Sequence, residues 1–147
     1  MSMMLPQEML TKTRMSLLRH EGCRKFPYFD TSVPPKITIG IGYNLTDRGL
    51  DMEWINNQFN DDVDYFYSLL CTFDWFSKLN EDRQIILIDM CFMGWKKFLG
   101  FKSMLLALDK QDFILAAHEM LNSKWAEEVG KRAFDLANAM ETGKYDV

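Results

Sequence analysis

Ile55, Phe59, Val63, Phe66 and Leu70 recur at steps of four, four, three and four residues, the single apolar face of one long helix. Such a stripe is stable only when another layer of structure covers it, so the chain must pack helix against helix over much of its length. The segments that follow comply. Asn80 ahead of Glu81 and Asp82 reads as a capped helix start with acids well placed in its first turn. From Ile85 to Met93 the pattern is apolar nearly all round, which marks a central, buried helix. Further helices are expected near 101–108, 112–122 and 131–141, the last stopped by Gly143.

The N-terminal third follows another period. Pro6 suits a first helical position and Gly22 the residue past a helix end, with Leu10, Leu17 and Leu18 at helical intervals between them. A helix is therefore expected over about 6–21. Arg24 to Phe29 and Lys36 to Tyr43 are short, aromatic or β-branched, and separated by Asp30-Thr31-Ser32-Val33-Pro34-Pro35. They predict a β-hairpin with a proline-stiffened turn. Gly40 and Gly42 alternate with Ile39 and Ile41, which leaves one face of the second strand bare for close approach by a chain or ligand. Thr46 to Gly49 reads as a loop.

This order predicts an α+β, mostly helical protein, a single domain over 1–147. A small β-lobe of about 23–50 is joined by an inter-lobe helix of about 53–70 to a helical lobe formed from about 1–22 and 71–147. A cleft is expected between the lobes.

Charge and cysteine content narrow the function classes. Twenty-one acids against 17 bases leave a net charge of -4 with no long Lys/Arg run, which argues against nucleic acid as a partner. Cys23, Cys71 and Cys91 cannot all pair within one chain, and each adjoins an apolar stretch. Reduced, mostly buried thiols are expected, as in a reducing cytoplasm. No metal-ligand spacing is present, so neither a metal nor another cofactor is expected. Glu8, Lys12 and Arg14 interrupt the N-terminal segment, and no stretch has the ~20 apolar residues of a membrane span. The expectation is a protein made in the cytoplasm without a signal peptide or membrane insertion.

Two carboxyl groups stand out. Glu21 ends the first predicted helix, and Asp30 opens the polar turn nine residues later. Glycoside hydrolysis needs one carboxyl that holds its proton and one that stays ionised. The negative end of a helix macrodipole and burial behind the hairpin would favour the protonated form at Glu21. Water and backbone donors would keep Asp30 ionised. The same residues also suit a helix-end acid and an Asx turn, and spacing alone does not choose between these readings.

The segment Glu21-Gly22 … Tyr28 … Asp30-Thr31 … Thr38-Ile39-Gly40-Ile41-Gly42 resembles the active-site region of the phage-type lysozymes, the T-even-phage endolysins of glycoside hydrolase family 24. Asn60-Asp61-Asp62-Val63, Met90-Cys91-Phe92-Met93-Gly94, Gly100-Phe101, Ser123-Lys124-Trp125, Lys131-Arg132-Ala133 and Thr142-Gly143 resemble further stretches, so the likeness runs from about residue 9 to 145. It implies a lysozyme-like fold and an inverting muramidase acting on the β-1,4 bond from N-acetylmuramic acid to N-acetylglucosamine in bacterial peptidoglycan. Glu21 would be the general acid, and Asp30 with Thr38 would position the attacking water. Arg132 would orient Glu21, and Phe92 and Tyr28 would stack on sugars. Glu119, apart from the resemblance, reads equally as a cleft residue contacting N-acetyl groups and as a solvated surface acid. A monomer acting on the cell wall, exported through a holin-type pore or another partner, would follow.

The likeness has departures. Two extra residues, with Pro34-Pro35, separate Asp30 from Thr38. Tyr43 stands where relatives carry a histidine, which predicts a hydrogen bond to Asp62. His20 and Asp135 reverse a family charge pair, which predicts a His20–Asp135 contact. Two other activities share the pattern: a lytic transglycosylase, which needs one essential carboxyl, and a non-catalytic peptidoglycan-binding descendant, suggested by the acidic charge.

Overall fold

The computed structural model describes residues 4–147, which form an α+β, mostly helical protein with a small antiparallel sheet near its N-terminus. The chain packs as two compact units, a first ending at Asn56 and a second spanning Asn57–Val147. Among the described residues no helix is long and apolar enough to cross a membrane.

The first unit opens with helix α1, Gln7–Glu21. Pro6 is its N-cap rather than its first helical residue, and the Pro6 carbonyl accepts from the Leu10 N–H at 3.0 Å. Gly22, at φ 70°, ends the helix by donating its N–H to the Leu18 carbonyl. The sheet follows, with strands β1 (Arg24–Phe29), β2 (Ile37–Gly40) and β3 (Tyr43–Asn44) in that order. Phe29 pairs with Ile37, Tyr28 with Thr38 and Arg24 with Gly40, with an irregularity between Arg24 and Tyr28. Thr38 also pairs with Asn44.

The predicted second strand is thus broken in two. Gly40 and Gly42 have φ of 65° and 67°, a conformation L-residues rarely adopt, and Ile41 and Gly42 form a tight turn. Their alternation with isoleucine records a reversal of the chain rather than a bare strand face. Residues Leu45–Arg48, read as loop, form the four-residue helix α2, capped by the Asn44 side chain on the Asp47 N–H.

Helix α3, Met52–Leu70, carries the apolar stripe and lies mostly in the second unit. After a short 3-10 turn at Phe76–Lys78 come α4 (Glu81–Cys91), α5 (Trp95–Leu99), α6 (Lys102–Asp109), α7 (Phe113–Leu121), α8 (Lys124–Val129) and α9 (Lys131–Thr142). Side-chain caps explain several starts: Asn80 accepts from the Arg83 N–H, Asp112 from Leu115 and Ser123 from Ala126, at 2.9, 3.0 and 3.1 Å. Gly143, left-handed at φ 75°, ends α9.

The core lies in this second unit, around Leu70, Phe76, Ile86, Leu87, Met90, Phe98, Met104, Leu108, Met120, Leu136 and Met140. Helix α4 is buried on one face only, since Ile85 is exposed, and it stops at Cys91, two residues before the predicted end. Cys91 is buried, whereas Cys23 and Cys71 are free and exposed, against the expectation of mostly buried thiols.

Candidate functional site

Glu21, Asp30 and Thr38 all belong to the first unit. Glu21 is the last residue of α1 and lies beside the β2–β3 turn. A Cβ built on Gly42 would sit 3.1 Å from Glu21 Cγ and 3.4 Å from Oε2, so the missing side chain at 42 makes room for the acid. The close approach expected at the paired glycines is therefore real at Gly42, and Glu21 is what approaches. Glu21 is exposed, not buried as expected. Its position at the negative end of α1 is the part of the expectation that the geometry supports.

Asp30 continues β1 by one residue, donating its N–H to the Lys36 carbonyl at 2.9 Å. Its Oδ1 accepts two backbone N–H groups, from Lys36 and from Ser32, each at 2.9 Å. The Lys36 bond and then the Ser32 bond hold this carboxyl below its ordinary range, and the nearby Lys36 charge adds to the effect. Asp30 is thus both an Asx-turn residue and a carboxyl biased toward ionisation. The hairpin tip is exposed, and Val33 within it is 97% exposed.

Thr38, at 5% exposure, is the buried polar residue of the first unit. It occupies the middle strand between Tyr28 and Asn44, and directly paired antiparallel residues project to the same face. Strand alternation adds Asp30 to that face from β1 and Lys36 from the entry to β2. The hairpin therefore keeps Asp30 and Thr38 on one side of the sheet.

Tyr28 and Tyr43 have local partners within the first unit. Tyr28 is half-buried, and the Arg24 guanidinium covers its ring at 4.2 Å from the centroid. The Tyr43 hydroxyl donates its one proton to the Gly49 carbonyl at 2.6 Å, while Arg48 lies over its ring. Asp62 accepts from Gln58 at 2.9 Å.

In the second unit, Phe92, Phe59, Val63, Ile85 and Ile88 line an apolar groove of about 560 Å³ with Asp89 and Arg132. Phe92 packs against Phe59 and Phe66, with ring centroids 6.0 and 5.3 Å apart, and remains 44% exposed. Arg132 was expected on Glu21. Its Nε and Nη2 both go to Asp89 Oδ1, at 3.1 and 2.5 Å, and Nη2 also reaches the Asp89 carbonyl. Asp135, expected to meet His20, pairs with Lys131 at 2.9 Å along α9. Glu119 lines a separate pocket of about 470 Å³ with Phe101, Trp125, Lys97, Lys102 and Glu128. Among the described residues no group of three or more His, Cys, Asp or Glu is placed to hold a metal ion.

Three partners were invisible to sequence reasoning. Asp89 lies 43 residues from Arg132, and Lys36 and Asp47, which form an ion pair, lie eleven apart across a strand and a turn. No local pattern marks either pairing. The chain matches no family model and no curated protein.

Proposed function

We propose that the protein is a peptidoglycan muramidase that hydrolyses the β-1,4 bond between N-acetylmuramic acid and N-acetylglucosamine with inversion. The observation that carries this reading is the grouping in one compact unit of a helix-end acid, Glu21, with an ordered carboxylate, Asp30, and a buried hydroxyl, Thr38, on one sheet face. The motif resemblance, which singles out the same three residues, is the second support.

In this mechanism Glu21 gives its proton to the glycosidic oxygen as the bond to the anomeric carbon breaks. A water attacks that carbon from the opposite face and loses a proton to Asp30. The two backbone donors fix one Asp30 oxygen and leave the other for the water. Thr38, rigid at χ1 in the middle strand, accepts or donates one hydrogen bond to the same water.

Digestion of purified peptidoglycan, read by mass spectrometry, tests the proposal. Wild type yields reducing muramic ends, and Glu21→Gln lowers the rate by about 10²–10⁴, the usual contribution of general acid catalysis. Anhydro-muramic ends would replace hydrolysis by transglycosylase chemistry. Glycan left intact by wild type would exclude both activities, in favour of a binding role.

A further inference from the structure

We infer that Lys36 is a positioning residue, whose ion pair with Asp47 sets the place of the Asp30 carboxylate. The inference rests on the reading of Asp30 as the group that receives the water's proton.

Asp30 Oδ1 has two backbone donors in the hairpin tip, and the one that returns from β2 is the Lys36 N–H. Between them lie Val33, Pro34 and Pro35, all exposed, so the tip has no buried side chain to hold its shape. Lys36 is held from outside the tip. Its ammonium bonds Asp47 Oδ2 on α2, and Asp47 is itself fixed by Asn44, which donates Nδ2–H to Oδ2 at 2.9 Å and accepts the Asp47 N–H at 3.1 Å. The next residue is tied to the same helix, since the Ile37 N–H donates to Thr46 Oγ1 at 2.7 Å.

One residue thus carries both ends of the linkage. The Lys36 backbone touches Asp30, and its side chain touches a short helix capped by the strand beside Thr38. A shift at Asp47 moves the donor that orients Asp30. The pairing also keeps the ammonium directed at Asp47 rather than at the carboxylate that must accept a proton. The Lys36 hydrogen bond holds the Asp47 carboxyl below its ordinary range, as expected for a charge-assisted contact.

The test compares Lys36→Met, Asp47→Asn, the double variant and the exchanged pair Lys36→Asp/Asp47→Lys, by kinetics on soluble glycan and by amide NMR without substrate. Each single variant should lose roughly tenfold in kcat with KM unchanged, within the ~10²-fold that a 1 Å misplacement can produce. The double variant should lose no more than either single one, and the exchanged pair should recover most of the loss. The Lys36 amide proton should move upfield in Asp47→Asn as its bond to Asp30 lengthens. Additive losses, no recovery in the exchanged pair, or an unmoved Lys36 amide in folded Asp47→Asn would overturn the linkage. An inactive wild type would instead overturn the hydrolase reading, and the amide shifts would still decide whether Lys36 positions Asp30.

Discussion

Replacing Arg83 by methionine keeps most of the aliphatic stem and removes the guanidinium alone. In the second unit that group donates from Nε to the Met140 carbonyl at 2.8 Å and from Nη2 to the Glu141 carbonyl at 3.1 Å, and it lies 3.6 Å from the Phe113 ring centroid. It thereby closes the C-terminal turn of α9, where carbonyls have no helical partner. Hydrogen bonds to a charged group contribute about 1.5–3 kcal/mol each. Glu141 is exposed, so we take about 1 kcal/mol for its bond, whereas Met140 is buried and its bond takes about 1.5 kcal/mol; the cation–π contact adds ~0.5–1 kcal/mol. The expected loss is about 3–3.5 kcal/mol, or roughly 9–11 °C in Tm at about 3 °C per kcal/mol. Thermal melts followed by circular dichroism, with urea titrations to confirm an unchanged m-value, measure it. A fall of less than about 2 °C would refute the reasoning, since that is the effect of an ordinary surface substitution.

Gly143→Ala should weaken the same closure, because φ is 75° there and a Cβ would sit 2.9 Å from Arg83 Nη1; a loss of about 1 kcal/mol in chemical denaturation is expected. Asp30 and Asp47 are held below the ordinary 3.8, Asp30 chiefly by the Lys36 backbone bond and Asp47 by the Lys36 side chain. Their contribution to stability is complete above 3.8 and is lost as the pH falls through the lowered folded values. The Tm gap between wild type and Asp30→Asn should therefore be wide at pH 6 and narrow toward pH 2. Burial pushes the Cys91 thiol up to about 12, while Cys23 and Cys71 are exposed. Alkylation at pH 8 should label Cys23 and Cys71 in the native protein and reach Cys91 only in denaturant, as intact-mass spectrometry would read directly.

Elements with strong local signals were legible in the sequence. The end of α1 at Gly22, the Asn80 cap and the Gly143 stop each rest on one residue's backbone chemistry, and each stands where that chemistry requires. The misread elements are those in which one pattern serves two structures. Ile39-Gly40-Ile41-Gly42 alternates as a strand does, yet positive φ at both glycines turns it into a reversal. Helices α5 and α8 have five and six residues, too few for a period to show. Cys71 follows the buried Leu70 but lies past the end of α3, where an apolar neighbour no longer implies a buried position. Asp30 and Thr38 were singled out through the family resemblance, and the hairpin register places them on one sheet face. The grip of Arg132 on Asp89 and of Lys36 on Asp47 belongs to tertiary structure, which spacing does not record.

Gly40 and Gly42 look interchangeable in the sequence, yet they answer to different constraints. Around Gly40 a Cβ would find nothing within 4 Å, so only torsion reserves that position for glycine. At Gly42 the same torsion is joined by the flank of Glu21. A side chain at 40 would tax the turn alone, whereas one at 42 would also displace a carboxyl while leaving its chemistry untouched. The glycine pair is thus a built-in control and probe, one position reporting the shape of the backbone and the other the room given to the acid.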